Sequence, residues 1–179
     1  MSKFVSSRAA GIEPSITLSL NTRANALKEA GEDVVGLAAG EPDFDTPKVI
    51  RKAAYRAIED GKTRYTPAAG ISQLRKKVAE EYSGRLGVGY EAKEVMISNG
   101  AKHCIFNALY ALTDPGDEVL IFTPYWVSYP EMVKLVGARP RIVHLDPADG
   151  YRLNPEILKK EIAESKPRVI LFNSPNNPA

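Results

Sequence analysis

From Glu94 onward the chain alternates short apolar runs with amphipathic stretches, and this alternation limits its fold more than any other feature. Residues 95–98, 118–122, 141–145 and 169–172 read as strands, separated by helical patterns at residues 101–112, 128–136 and 155–164. Strands that follow one another through helices form a parallel sheet with right-handed crossovers. The unbroken apolar runs at residues 119–122 and 169–172 suit strands buried on both faces. The expected fold is therefore α/β, a mostly parallel, doubly wound sheet with helices on both faces.

The N-terminal part reads differently. Pro14 and the Ser15-Ile16-Thr17-Leu18 run open a helix reaching Ala30, and residues 34–38 suggest a short strand. Pro47 starts another helix, with Ile50, Ala53, Ala54, Ala57 and Ile58 on one face. After the turn-rich residues 65–70, a third helix carries Ile71, Leu74, Val78 and Tyr82 at helical spacing, leaving Arg75 and its neighbours as a solvated face. No internal repeat or low-complexity segment interrupts the chain.

Composition narrows the function classes. With 24 basic against 22 acidic side chains the formal charge is +2, too balanced for nucleic acid or an anionic membrane as main partner. Cys104 is the single cysteine, which rules out an internal disulfide and leaves no metal-ligand spacing. Residues 1–8 lack the apolar run of a signal peptide, and no stretch is long and apolar enough for a membrane span. A cytosolic protein is expected, with no metal.

In open α/β sheets, ligands gather at the carboxyl ends of the strands. Three exits carry residues with chemistry to offer. Ser98-Asn99-Gly100-Ala101-Lys102 passes through a glycine into a helix, where free N–H groups and the positive helix end suit a phosphate. It is also readable as a plain strand-to-helix turn. Thr123-Pro124-Tyr125-Trp126 offers an aromatic pair to stack on a flat ring, although the only Trp of a chain is often a core anchor. Asn173-Ser174-Pro175-Asn176-Asn177-Pro178 offers amides that both donate and accept, or a surface turn. Together a phosphate seat, a stacking ring and an amide describe a pocket for a phosphorylated aromatic cofactor. Pyridoxal phosphate is favoured over a dinucleotide, because the glycine fingerprint and acidic ribose ligand are missing.

These segments, with Gly40-Glu41-Pro42-Asp43-Phe44, Tyr65-Thr66-Pro67-Ala68-Ala69-Gly70 and the extension Val127-Ser128-Tyr129-Pro130, resemble class I (fold type I) aminotransferases. The likeness is to the bacterial aspartate and aspartate/prephenate branch, and it runs through the whole chain in order. It implies an N-terminal arm and part of a small domain at residues 1–47, and an incomplete cofactor-binding large domain at residues 48–179. It further implies Gly40 beside the substrate α-carboxylate, and Tyr65 reaching the cofactor phosphate of the other subunit of a homodimer. Gly100, Ala101 and Lys102 would form the phosphate cup, with Lys102 also holding the distal carboxylate of aspartate. Trp126 would stack on the pyridine ring and face the substrate. Asn177 would bond the cofactor's phenolic oxygen and the substrate carboxylate. Cis peptides are expected before Pro124 and Pro178.

The resemblance also implies partners that residues 1–179 do not include: the Schiff-base lysine, the aspartate on the pyridine nitrogen, a tyrosine, and two arginines. The family continues with Thr-Gly after the position of Pro178, where this sequence has Ala179. With the last residues leaving an apolar strand, the expectation is a chain cut short before its catalytic lysine. The expected activity is transamination of an amino acid, aspartate, with a 2-oxo acid by the intact protein. An aromatic or prephenate-type aminotransferase, or a non-catalytic truncated product, are the alternatives.

Overall fold

Val119, Leu120 and Ile121 have no solvent-exposed surface, and they form the centre of strand β1 (Glu118–Phe122). In the computed structural model, which describes residues 4–38, 40 and 42–177, β1 is the middle of a three-stranded sheet. Strand β2 (Arg139–Val143) pairs with it in parallel from Glu118↔Arg139 to Phe122↔Val143, and β3 (Val169–Leu171) lies on its other side from Val119↔Val169. The order β2-β1-β3 with parallel pairing is the doubly wound arrangement expected from the alternation.

The chain divides into two compact units, one of Met1–Val34 with Gly100–Ala179, the other of Val35–Asn99. In the first, the period of two along β1 sends Val119 and Ile121 to one face and Leu120 and Phe122 to the other. Helices α5 (Gly100–Leu112) and α6 (Ser128–Leu135) cover the first face through Leu109, Tyr129, Met132 and Val133. Helix α7 (Pro155–Ser165) covers the second, where Leu158 and Leu153 meet Leu120, Phe122, Val143 and Leu145. Pro155 at its first turn and the Asn154 side chain, which accepts the Glu156 N–H at 2.8 Å, start that helix. An ion-pair cluster fastens α7 to β2, with Arg141 Nε 2.6 Å from Glu161.

Two shorter pieces precede this layer. Helix α1 (Ser7–Ala10), unanticipated from sequence, is capped by Ser6, and α2 (Ile16–Glu29) is capped by Ser15, whose hydroxyl accepts the Leu18 N–H. The backbone N–H of Glu13 donates to the Glu131 carboxylate of α6 at 3.0 Å, which ties the segment before α2 to the sheet layer.

The second unit holds α3 (Lys48–Glu59), α4 (Ser72–Leu86) and a 3₁₀ turn at Ala92–Glu94. Arg75 is not on a solvated face as expected: it is half-buried, and its Nε donates to the Val95 carbonyl at 2.7 Å. The apolar residues Ile50 and Ile58 of α3 stay exposed.

The expected strands at residues 34–38 and 95–98 do not form, because a strand exists only where a neighbour accepts its ladder. Ile97 instead donates its N–H to Ala69 at 3.0 Å, in a loop-to-loop contact. Nor is β3 buried on both faces: Val169 and Leu171 pack on the α5–α6 side, while Ile170 is 43% exposed because α7 covers β1 and β2. Among the described residues, no helix is long and apolar enough to cross a membrane.

Candidate functional site

The exit of β1 is fixed by Thr123. Its N–H donates to Val143 at 3.0 Å and its hydroxyl accepts the Leu145 N–H at 2.9 Å, which extends the β1–β2 pairing by a side chain. A cis peptide joins Thr123 to Pro124, as expected from the resemblance. The chain then passes Tyr125 and Trp126 and enters α6, where the Tyr129 N–H donates to the Trp126 carbonyl at 2.9 Å.

Trp126 packs as the core anchor that the sequence offered as one of two readings, and it makes a further contact besides. It is half-buried against the α5–α6 core, with the Tyr129 ring at 89° and 5.6 Å between centroids. It also takes a cation: Lys102 Nζ stands 4.7 Å from its centroid. An ammonium in that position is attracted by the negative ring face.

Lys102 is the third residue of α5, and the helix opens at Gly100 with φ +76°. A Cβ at Gly100 would meet nothing within 4 Å, so the glycine is required by its backbone rather than by crowding. Gly100, Ala101 and Lys102 are exposed, their first-turn N–H groups have no acceptor inside the helix, and the helix dipole adds positive potential. The arrangement fits a phosphate with a neighbouring flat ring. Lys102 adds a positive charge at the start of the helix, over the Trp126 ring.

The exit of β3 runs through Asn173, a cis Ser174–Pro175 bond, Asn176 and Asn177. The second expected cis bond, before Pro178, lies outside the described residues. The Asn176 amide nitrogen donates to the Pro124 carbonyl, and its oxygen accepts the Asn177 N–H at 2.8 Å. This residue joins the β1 and β3 exits. Asn177 itself is exposed.

A cleft of about 230 Å³ opens at these strand ends, lined by Thr123, Tyr125, Tyr151, Asn173, Ser174 and Asn176. Tyr151 there adopts φ +56°, a left-handed conformation that costs a non-glycine residue energy. Neither it nor Asn173 and Asn176 was singled out from sequence. Their only signal was the Asn-rich exit and a tyrosine following Gly150. A second groove of about 680 Å³ lies between residues 12–16 and α6, and Lys102, Tyr125 and Glu131 border it. Glu131 titrates below the ordinary carboxylate range. Burial alone would raise it, but the Lys134 side chain, the Glu13 N–H and the Lys134 charge outweigh that effect.

The structure thus brings Lys102 and Trp126 into contact, with Gly100 and Ala101 in the same helix turn, and joins the β1 and β3 exits through Asn176. Gly40 and Tyr65 belong to the other unit, where both are exposed. Among the described residues, no group of three or more His, Cys, Asp or Glu is placed to hold a metal ion.

Comparison with known proteins identifies the family. The sequence profile of the family Aminotransferase class I and II matches residues 32–179. The aspartate aminotransferase of Bacillus subtilis (strain 168) is 43% identical over 171 residues, which cover 96% of this chain and 43% of the relative. A probable aspartate/prephenate aminotransferase of Thermus aquaticus is 43% identical over 97% of this chain and 45% of its own length. Among solved structures, the aspartate aminotransferase from Thermus thermophilus with maleate superposes with a TM-score of 0.93 at 41% identity, covering 99% of this chain and 46% of that one. The chain spans less than half the length of the curated relatives it matches.

Proposed function

The chain belongs to the class I and II aminotransferases, a pyridoxal-phosphate-dependent family, and on that premise we propose that the whole protein transfers the amino group of aspartate to a 2-oxo acid. One observation carries the choice of donor: the Lys102 ammonium stands over the Trp126 ring, 4.7 Å from its centroid. A cation beside the ring platform favours a substrate with a second carboxylate over a neutral one. The likeness to a Thermus thermophilus enzyme solved with maleate, a dicarboxylate, supports the same preference.

Each residue acts by binding or orienting. Gly100, Ala101 and Lys102 present N–H donors and the positive end of α5 to the phosphate. Trp126 provides a flat apolar surface for the ring and is itself held by Tyr129 and the core. Asn177 addresses the ring's phenolic oxygen and the substrate α-carboxylate, and Lys102 addresses the distal carboxylate. When bound, pyridoxal phosphate supplies the electron sink that makes the α-proton of an amino acid removable.

The proposal includes a homodimer, in which Tyr65 reaches the phosphate bound by the other subunit and Gly40 lies beside the α-carboxylate. It also includes the division into a small-domain arm at residues 1–47 and a cofactor domain at residues 48–179. A second reading concerns the acceptor: relatives named aspartate/prephenate aminotransferase make prephenate an alternative to a simple 2-oxo dicarboxylate.

The test is an amino-donor and acceptor panel on the full gene product. Aspartate and glutamate consumed well ahead of neutral and aromatic donors support the reading. Comparable or better use of aromatic donors overturns it. Running aspartate against both acceptors separates the two acceptor readings.

A further inference from the structure

The Asn176 side chain uses both ends of its amide on two different loops. Its nitrogen donates to the Pro124 carbonyl, 52 residues away, and its oxygen accepts the Asn177 N–H at 2.8 Å. The amide of Asn173 approaches the same oxygen at 3.5 Å. The assignment of oxygen and nitrogen is not arbitrary. Exchanged, the amide would set oxygen against the Pro124 carbonyl and N–H against the Asn177 N–H, two repulsive contacts in place of two hydrogen bonds.

Beyond the edge contact of the Phe122 and Phe172 rings at the strand ends, the bond to Pro124 ties the β1 exit to the β3 exit. Pro124 is two residues before Trp126, whose other side is fixed by the Tyr129 N–H on its carbonyl. Asn177 directly follows Asn176. From this we infer that Asn176 is a positioning residue, setting the distance between the ring platform at Trp126 and the polar group at Asn177. The inference rests on the reading of these two as the face and edge contacts of pyridoxal phosphate. A flat ring held from its face by one loop and its edge by another is bound well only if the loops keep their spacing.

The chemistry specifies asparagine. Aspartate keeps an acceptor for the Asn177 N–H but loses the donor and sets a carboxylate against the Pro124 carbonyl. Alanine loses both bonds.

The experiment measures pyridoxal phosphate binding to the cofactor-free full gene product by equilibrium dialysis. The variants are Asn176→Ala, Asn176→Asp, Trp126→Ala and Asn177→Ala, with the visible circular dichroism of the bound cofactor as a second readout. Losing the hydrogen bond between the two exits, and in Asn176→Ala the bond to the Asn177 N–H as well, should raise the Kd about tenfold in both Asn176 variants. It should also shrink the dichroic band, which reports ring orientation. A residue that merely stabilised the fold would lower the Tm of the cofactor-free protein and leave the Kd unchanged well below it. An unchanged Kd and band in the Asn176 variants, with weakened binding in Trp126→Ala and Asn177→Ala, overturns the positioning role and leaves the cofactor reading standing. Unchanged binding in Trp126→Ala and Asn177→Ala overturns the cofactor reading and the inference with it. If Asn176→Ala does not fold, Asn176→Asp decides alone, by the same comparison.

Discussion

The Lys102 ammonium and the Trp126 ring face each other across 4.7 Å, although one lies in the first turn of α5 and the other at the exit of β1. The contact places the one residue that would select a dicarboxylate against the one that would hold the cofactor ring. Removing the cation should change which donor is used more than whether any is used. Lys102→Ala in the full gene product is expected to lose about tenfold to a hundredfold in kcat/KM for aspartate, the range for a hydrogen bond to a charged group. Neutral donors should change by less than threefold. An equal loss on both donor types would show that Lys102 serves the phosphate alone.

Gly70 should resist substitution for a separate reason. Its φ is +99°, and a Cβ would stand 2.8 Å from the Ile97 Cβ, a branched carbon close to the backbone. The neighbouring Ile97 N–H to Ala69 bond holds the two segments together, so neither retreats easily. Gly70→Ala should cost about 1–3 kcal/mol through strain in an unfavourable backbone region. Thermal unfolding checks it, and a Tm equal to the parent's would show that residues 65–70 shift freely.

Thr123→Val tests the β1 exit at constant side-chain shape. The change removes the hydroxyl that accepts the Leu145 N–H and leaves that amide beside a methyl group. Leu145 is 7% exposed, so water does not readily replace the lost partner. The expected cost is about 1–3 kcal/mol, the penalty of an unsatisfied buried donor. Urea denaturation gives the value; a change below about 0.3 kcal/mol would mean that the loop rearranges to satisfy the amide.

What was legible in the sequence follows the range of the interactions. β1 could be read because Val119 to Phe122 is an unbroken apolar run, and α5 because a glycine precedes a helical pattern. Residues 95–98 have strand composition but no strand partner, and composition does not show where the Ile97 N–H goes. The same limit hid Asn176. Its carbonyl partner is 52 residues away, so the sequence shows an Asn-rich exit but not which of its amides reaches across. The Lys102–Trp126 pair was named residue by residue, but their contact is a property of the fold. In sequence Trp126 reads as core anchor or as platform; in the fold it packs on the core while its face takes the cation.

Glu131 should make the N-terminal segment acid-labile. Its carboxylate takes the Glu13 N–H at 3.0 Å and the Lys134 ammonium at 2.7 Å, and these interactions pull its pKa down against the opposing effect of burial. A carboxyl depressed in the folded state binds its proton more weakly there than in the unfolded chain. Its stabilising contribution is complete above the unfolded value and disappears as pH falls through the folded one, so the loss sets in from about pH 5 downward. Glu131→Gln has no proton to bind. It should be less stable than the parent near neutrality, and the gap should close across that acid window. Unfolding free energies of both proteins at several pH values supply the test. A gap that stays constant down to about pH 3 would show that neutral hydrogen bonding, rather than the charge of Glu131, holds residues 12–16 to α6.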